Sequence, residues 1–202
     1  MKRTWIYLSL ALSLVYSLQV GAETAPDVLA RNTSNEVVRI VKQDPDIKNG
    51  QGRKIDALVE AKILPHFDFE QMTRMAVARN WNKATPEQQA RLVQEFRTLL
   101  VHTYAASIAS VAEYRIDFKP LKMAAGDSDV VVNTQVSKQG AAPVTIDYRM
   151  EKQGSTWKVY DVMVDNVSLV TVYRGSFNSE VRRSGIDGLI QALARRNKPL
   201  GS

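Results

Sequence analysis

The segment Trp157-Lys158-Val159-Tyr160-Asp161-Val162-Met163-Val164 constrains the fold more than any other part of the chain. It reads as a strand, and successive side chains of a strand point to opposite faces. Trp157 and Val159 occupy one phase of the alternation, and Tyr160, Val162 and Val164 occupy the other. Both faces are therefore predicted to carry apolar groups, as in a strand that is covered on each side or encloses something apolar. The apolar phase slips by one residue near Tyr160-Asp161, which predicts a bulge that bends the strand. Ser168-Leu169-Val170-Thr171-Val172-Tyr173 follows with helical apolar spacing, and Gly185-Ile186-Asp187-Gly188-Leu189 comes after it.

Helices precede the strands. Val28, Leu29, Val37, Ile40 and Val41 follow helical spacing, and so do Ile55, Leu58, Val59 and Ile63. Pro65 ends the second helix, because the residue before proline avoids helical angles. Asp68 is placed to cap a third, running through Met72 and Met75 to Trp81. Thr85, Pro86 and Gln88 form a capping box with proline where its missing N–H is harmless. The helix they start continues to about Val111, with a wide apolar stripe that includes Leu92, Phe96, Leu100, Tyr104 and Ile108. Strands are predicted around Tyr114–Phe118, Val130–Val136, Val144–Met150 and Trp157–Val164. Short connections make these four an antiparallel meander. Helices over about 168–183 and 186–196 close the chain. The class is α+β: helices over 26–111, a four-stranded antiparallel curved sheet over 113–164 and helices over 168–196.

The N-terminus sets the compartment. Lys2 and Arg3 precede a mostly apolar run from Trp5 to Leu18, and Val20-Gly21-Ala22 supplies small residues for cleavage. This predicts a secretory signal peptide over 1–22 and a single exported domain over 23–202. Loss of Lys2 and Arg3 takes the formal charge from +6 to +4. The sequence has no cysteine, so neither a disulfide nor a bacterial lipoprotein anchor is available, and stability rests on the core.

Reactive side chains are scarce. The two histidines, His66 and His102, lack further ligands at workable spacing, so no metal site and no cofactor are predicted. One enzymatic reading remains: Asp161 or Asp147, with Tyr148 or Tyr160, acting as acid and base in a pocket between helices and a curved sheet. Against it, Asp147 shares a polar phase with Thr145, Arg149 and Glu151, and Asp161 at the bulge can simply accept backbone hydrogen bonds. Arg182-Arg183, Arg195-Arg196 and Lys198 are basic, yet no strand face interleaves them with aromatic residues, so nucleic acid is not an expected partner.

The order of motifs is similar to that of a known family. His66-Phe67-Asp68-Phe69 leads through Trp81-Asn82-Lys83-Ala84-Thr85-Pro86-Glu87-Gln88 into the long helix with Phe96 and Tyr104. Trp157-Lys158-Val159-Tyr160-Asp161-Val162, Val167-Ser168-Leu169 and Gly185-Ile186-Asp187-Gly188-Leu189 follow at fitting distances. The chain resembles the MlaC or toluene-tolerance family of periplasmic phospholipid-binding proteins, from about Pro26 to Leu193. Where relatives often carry glycine before Val167-Ser168 this chain has Asn166, which also favours a turn.

The resemblance implies a monomeric periplasmic carrier in a Gram-negative envelope, without enzymatic activity. Its cargo would be a diacyl phospholipid. It would exchange lipid with an inner-membrane ABC transporter complex through an MCE-domain subunit, and with an outer-membrane lipoprotein–porin complex, maintaining lipid asymmetry. The apolar wall is expected to include Leu100, Tyr104, Ile108, Tyr148, Met150, Val162, Val164, Leu169, Val172 and Tyr173, with adaptable Met72, Met75 and Met163 available nearby. Arg149, Arg174 and Arg182 are candidates for docking a partner or meeting the head group. Roughly 28 methylenes at about 0.8 kcal/mol each put the cost of exposing the tails on the order of 20 kcal/mol. The tails should therefore be enclosed, in a cavity near about 1,000 Å³.

Overall fold

The structure is a computed structural model, and it describes residues 24–198. The predicted leader over 1–22 lies outside the described residues.

Six α-helices, several 3-10 or π turns and one sheet make up the described residues. Helix α1 (Pro26–Gln43) starts at a proline and ends at Asp44, whose carboxylate accepts from the Asp46 and Ile47 N–H groups and caps the short α2 (Pro45–Lys48). Helix α3 (Gly52–Leu58) widens into a π turn over Val59–Ile63 and a 3-10 turn over Leu64–His66, where Pro65 stops it. Asp68 caps α4 (Phe69–Val77) by accepting from the Gln71 N–H at 2.9 Å. The capping box at Thr85 and Gln88 is formed in both directions and starts α5 (Pro86–Ala109), which 3-10 turns flank on either side. Helix α6 (Arg174–Asn197) is broken at Gly185, where φ is 73°, so it behaves as two arms.

The sheet is a meander of β1 (Arg115–Phe118), β2 (Asp129–Ser137), β3 (Val144–Gln153), β4 (Thr156–Val164) and β5 (Val167–Ser168), in that order and antiparallel throughout. It has five strands where four were predicted. The helix expected from Ser168 instead begins as β5, passes through a 3-10 turn over Thr171–Tyr173, and becomes α helix only at Arg174. The reason is tertiary. Asp165 (φ 46°) and Asn166 (φ 65°) form a two-residue turn that lays Val167 against Val164. Positive φ at both central residues matches the twist of paired strands. The Asp165 carboxylate accepts from the Thr145 N–H at 2.9 Å, and Asp161 accepts from the Ser168 hydroxyl at 2.7 Å.

The predicted bulge is present, and it revises the reading of two apolar faces. Met150 faces Val159 while Arg149 faces Asp161, so Tyr160 is the extra residue on β4. Two residues then oppose one. Val159, Val162 and Val164 consequently share a single inward face, and Tyr160 and Asp161 stand with Arg149 on the other.

Three buried clusters form rather than one. Met72, Leu92, Phe96, Phe177, Leu189 and Leu193 join α4, α5 and α6. Val37, Val41, Ile55, Leu58 and Ala105 join α1, α3 and the end of α5. Val130, Val132, Met150, Trp157 and Val159 belong to the sheet.

One backbone position is strained. Ala78 ends α4 at φ 53° and ψ −130°, donating its N–H to the Arg74 carbonyl. Such a conformation costs an L residue about 1–3 kcal/mol. Glycine would relieve it while adding about 0.5–1 kcal/mol of chain entropy to be lost on folding. Relief is the larger effect. Ala78→Gly is expected to stabilise the protein by about 1 kcal/mol, seen as a higher urea midpoint at unchanged slope; a lower midpoint would contradict the strain argument.

Candidate functional site

The three clusters meet around a cavity instead of fusing. Helix α1 contributes Leu29, Ala30 and Val37, and the segment after α3 contributes Val59, Ile63, Leu64 and Phe67. Phe69 and Met72 come from α4, and Leu100, Val101, Tyr104, Ala105 and Ile108 from α5. The sheet supplies Ile116, Ile146, Tyr148, Met150, Val159, Val162 and Val164, and Leu169 closes the wall beyond β5.

About 440 Å³ is open to the centres of water-sized molecules, and about 1630 Å³ is empty when space is counted to the walls and out through the mouth. The two figures bracket the roughly 1,000 Å³ expected for a large ligand cavity. Among the described residues no Asp, Glu, Lys or Arg side chain lines it; the polar lining consists of Thr33, Ser34, His66, Tyr104, Ser107 and Tyr148. An ionised group in such surroundings would be uncompensated, whereas apolar chains lose nothing by entering.

The cavity has a closed end and an open end. Met150 is 1% exposed and Val159 is 4% exposed. Phe67 bridges to Val159 as a parallel β-bridge and seals that end, with Phe67 and Phe69 stacked at 5.9 Å. One pleat further along, two residues on β3 and three on the bulged β4, Tyr148 and Val162 are half-buried, as are Ile146 and Val164 beyond them, and Ser107 is exposed. The mouth therefore lies between the end of α5 and the β4–β5 hairpin.

Electrostatics agree with a dry interior. Burial pushes the Tyr148 phenol up to about 12, with the Asp147 charge adding to the effect. Tyr148 is half-buried and lines the cavity. Burial also pushes Tyr104 up to about 12, helped by the neighbouring Tyr173 phenol and a hydrogen bond with it. Burial holds the His66 imidazole below its usual value, and the Lys158 charge works in the same direction against Glu36. All three groups are neutral near pH 7.

Eight of the ten residues expected in the wall line this cavity: Leu100, Tyr104, Ile108, Tyr148, Met150, Val162, Val164 and Leu169. Val172 and Tyr173 do not. Val172 is 53% exposed on the outer side of a 3-10 turn. Tyr173 packs edge-on against Phe96 at 5.1 Å and supports Tyr104 from behind. Both were misplaced by reading 168–173 as a helix. Of the methionines, Met72 and Met150 line the cavity, while Met75 and Met163 do not. The α1 and 59–69 contributions escaped the sequence reading, although the stripe Val59–Ile63 and the pair Phe67 and Phe69 signalled them.

The three arginines lie away from the lining. Arg149 stacks over Tyr160 at 5.0 Å, Arg174 donates to the Met75 carbonyl at 3.1 Å, and Arg182 donates to the Ser179 hydroxyl at 3.0 Å. Of the residues in the enzymatic reading, Asp147, Tyr160 and Asp161 are outside the cavity, while Tyr148 lines it with no carboxylate beside it in the wall. Asp161 is buried, bonded to Ser168 and to the Val170 N–H at 3.4 Å, so its carboxylate fastens the turn that carries Leu169. The Tyr160 hydroxyl donates to Asp129 at 2.5 Å; burial and that bond push it up to about 12. Among the described residues no cluster of three or more His, Asp or Glu could hold a metal, and no helix is long and apolar enough to cross a membrane.

Known proteins share this architecture. A phospholipid-binding protein from Ralstonia solanacearum, solved in complex with a phospholipid, superposes with a TM-score of 0.80 at 38% identity, covering 86% of this chain and 97% of that one. The toluene tolerance protein ttg2D of Pseudomonas putida is 26% identical over 172 residues, 84% of this chain and 79% of the relative. The intermembrane phospholipid transport system binding protein MlaC of Haemophilus influenzae is 20% identical over 175 residues, 85% of this chain and 82% of the relative. The MlaC protein family itself matches residues 31–195, and with its cavity-bearing α+β fold the chain belongs to that family.

Proposed function

We propose that this protein is a periplasmic phospholipid carrier that takes the acyl chains of a diacyl lipid into its cavity. The observation that carries the reading is the wall itself: a large, mostly apolar space, lined by no charged side chain among the described residues. The phospholipid bound to the similar Ralstonia solanacearum protein and the transport name of the Haemophilus influenzae relative support it. The tails are hidden by non-directional burial, while the charged head group stays at the mouth in water. Binding and release change no covalent bond, so the protein acts as a shuttle rather than a catalyst.

The carrier passes lipid between the outer membrane, through a lipoprotein–porin complex, and an inner-membrane ABC transporter complex with an MCE-domain subunit. That traffic maintains outer-membrane lipid asymmetry. It works as a monomer, exported by cleavage of the leader over 1–22. Arg149, Arg174 and Arg182 lie outside the wall, so their proposed role is docking to partners, a role that salt weakens.

Native mass spectrometry with lipid extraction, on protein purified from the periplasm, tests the reading: bound diacyl phospholipid is expected, and a protein empty of lipid would refute it. Two substitutions sharpen the test. Val164→Glu places a carboxylate in the apolar wall and is expected to abolish lipid loading. Val172→Glu alters an exposed side chain and is expected to leave lipid bound. Equal loading of both variants would mean that the tails lie elsewhere.

His66 gives the fold a pH dependence. Its imidazole resists protonation more in the folded than in the unfolded chain. The stability it contributes is therefore fully present above the unfolded value of about 6.5 and is lost as pH falls through and below it. Urea midpoints at about pH 8 and 5.5 should fall less in His66→Gln than in the wild type. An identical fall in both would assign the acid sensitivity to other groups.

A further inference from the structure

Among the described residues Tyr148 carries the one side-chain oxygen or nitrogen on the sheet side of the cavity, and its surroundings leave that atom unpaired. The inward side chains of β3 are Ile146, Tyr148 and Met150. Each is two residues from the next, roughly 7 Å along the strand. Met150 belongs to the closed end and Ile146 to the mouth, so Tyr148 sits one pleat below the opening. Its side chain is half-buried and lines the cavity. Its oxygen is nevertheless not sealed against neighbouring atoms, and it makes no hydrogen bond to any described residue. Because the side chain belongs to the wall, that oxygen faces the cavity.

Tyr104 provides the contrast. It is the other phenol of the wall, and the neighbouring Tyr173 phenol is at hand to interact with it. A hydroxyl without a partner in apolar surroundings destabilises the folded state, and phenylalanine would fill the same space without that penalty. The position of Tyr148 therefore points to a partner supplied from outside the chain.

The chemistry of that partner follows from depth. No cationic side chain among the described residues lines the wall, so nothing draws a phosphate inward and the phosphate stays at the mouth. Methylene chains fill the deeper space and offer no acceptor. Between them lie the acyl ester carbonyls, a few bonds below the phosphate and at the level of the next pleat. A neutral phenol donates, and an ester carbonyl accepts. We propose that the Tyr148 hydroxyl donates a hydrogen bond to an acyl ester carbonyl of the cargo, fixing how deep the lipid sits and favouring ester-linked over ether-linked lipid. The assignment rests on the phospholipid-carrier reading above.

Diester phosphatidylglycerol and its dialkyl ether analogue, with equal chain lengths, share a head group and differ in the carbonyls. The full-length mature protein is incubated with vesicles containing the two in equal amounts, re-isolated, and its bound lipid measured by mass spectrometry. Wild type is expected to carry the diester in about tenfold excess, and Tyr148→Phe is expected to bring the ratio to about one. The ester-carbonyl infrared band of bound lipid should also lie at lower frequency in wild type than in the variant, a difference that a purely structural side chain would not produce. The wild-type ratio decides the matter even where the variant folds poorly. A wild-type ratio near one would overturn the assignment, leaving water as the partner of the hydroxyl and the carrier reading intact. Uptake of neither lipid would overturn both.

Discussion

The extra residue at Tyr160 is the constraint on which the site depends. In an unbroken strand with Val159 facing inward, Asp161 would face inward too, and Val162 and Val164 would turn away. The cavity would then lose two valines from its wall and gain a carboxylate. Burying that charge without a partner costs several kcal/mol, or forces the group to stay protonated. One inserted residue reverses the outcome: Val159, Val162 and Val164 all face the cavity, and Asp161 faces Ser168. The displaced carboxylate then has a second use. It anchors the turn after β5, and that turn presents Leu169 to the cavity. A single backbone irregularity thus keeps the wall apolar and closes one edge of it.

The cavity itself is the region where three packed clusters fail to merge. Each cluster is well buried in its own right, so the clusters can hold the walls apart. Were a space of about 440 Å³ sealed and empty, it would be destabilising by on the order of 10 kcal/mol at the cost per volume measured for closed core cavities. That is comparable to the whole stability of an ordinary domain. A fold with this interior is therefore suited to being filled. Acyl chains fill it best, because they replace the missing dispersion contacts and demand no hydrogen bonds.

Much of this organisation is written locally. Thr85 and Gln88, Asp68 and Pro65 set helix boundaries through their own side chains, and a reader needs only neighbouring residues to place them. The phase slip at Tyr160 was legible for the same reason. The region 167–173 was not. Its apolar spacing is helical, but its conformation is decided by the turn before it, where Asp165 accepts from Thr145 on the neighbouring strand, and by the Asp161 carboxylate on β4, which holds Ser168. Val172 was consequently assigned to a wall that it does not touch. The shares of α1 and residues 59–69 in the wall were hidden by a different ambiguity. Leu29, Val37 and Ile63 would be apolar whether they faced a packed core or an open cavity, and periodicity does not separate the two.

That ambiguity has a physical consequence for how the site tolerates change. Recognition of acyl chains is non-directional and scales with area, so leucine, isoleucine, valine or methionine can exchange within the wall at modest cost. Directional requirements fall instead on the few residues that keep charge and unpaired polarity away from the tails. The bulge at Tyr160 does this, as do the Asp165-Asn166 turn and the Asp161–Ser168 contact. None of these five residues lines the cavity. Substituting the turn or the buried carboxylate should therefore disturb loading more than a conservative change at most wall positions, because one alters the face a strand presents and the other only its texture.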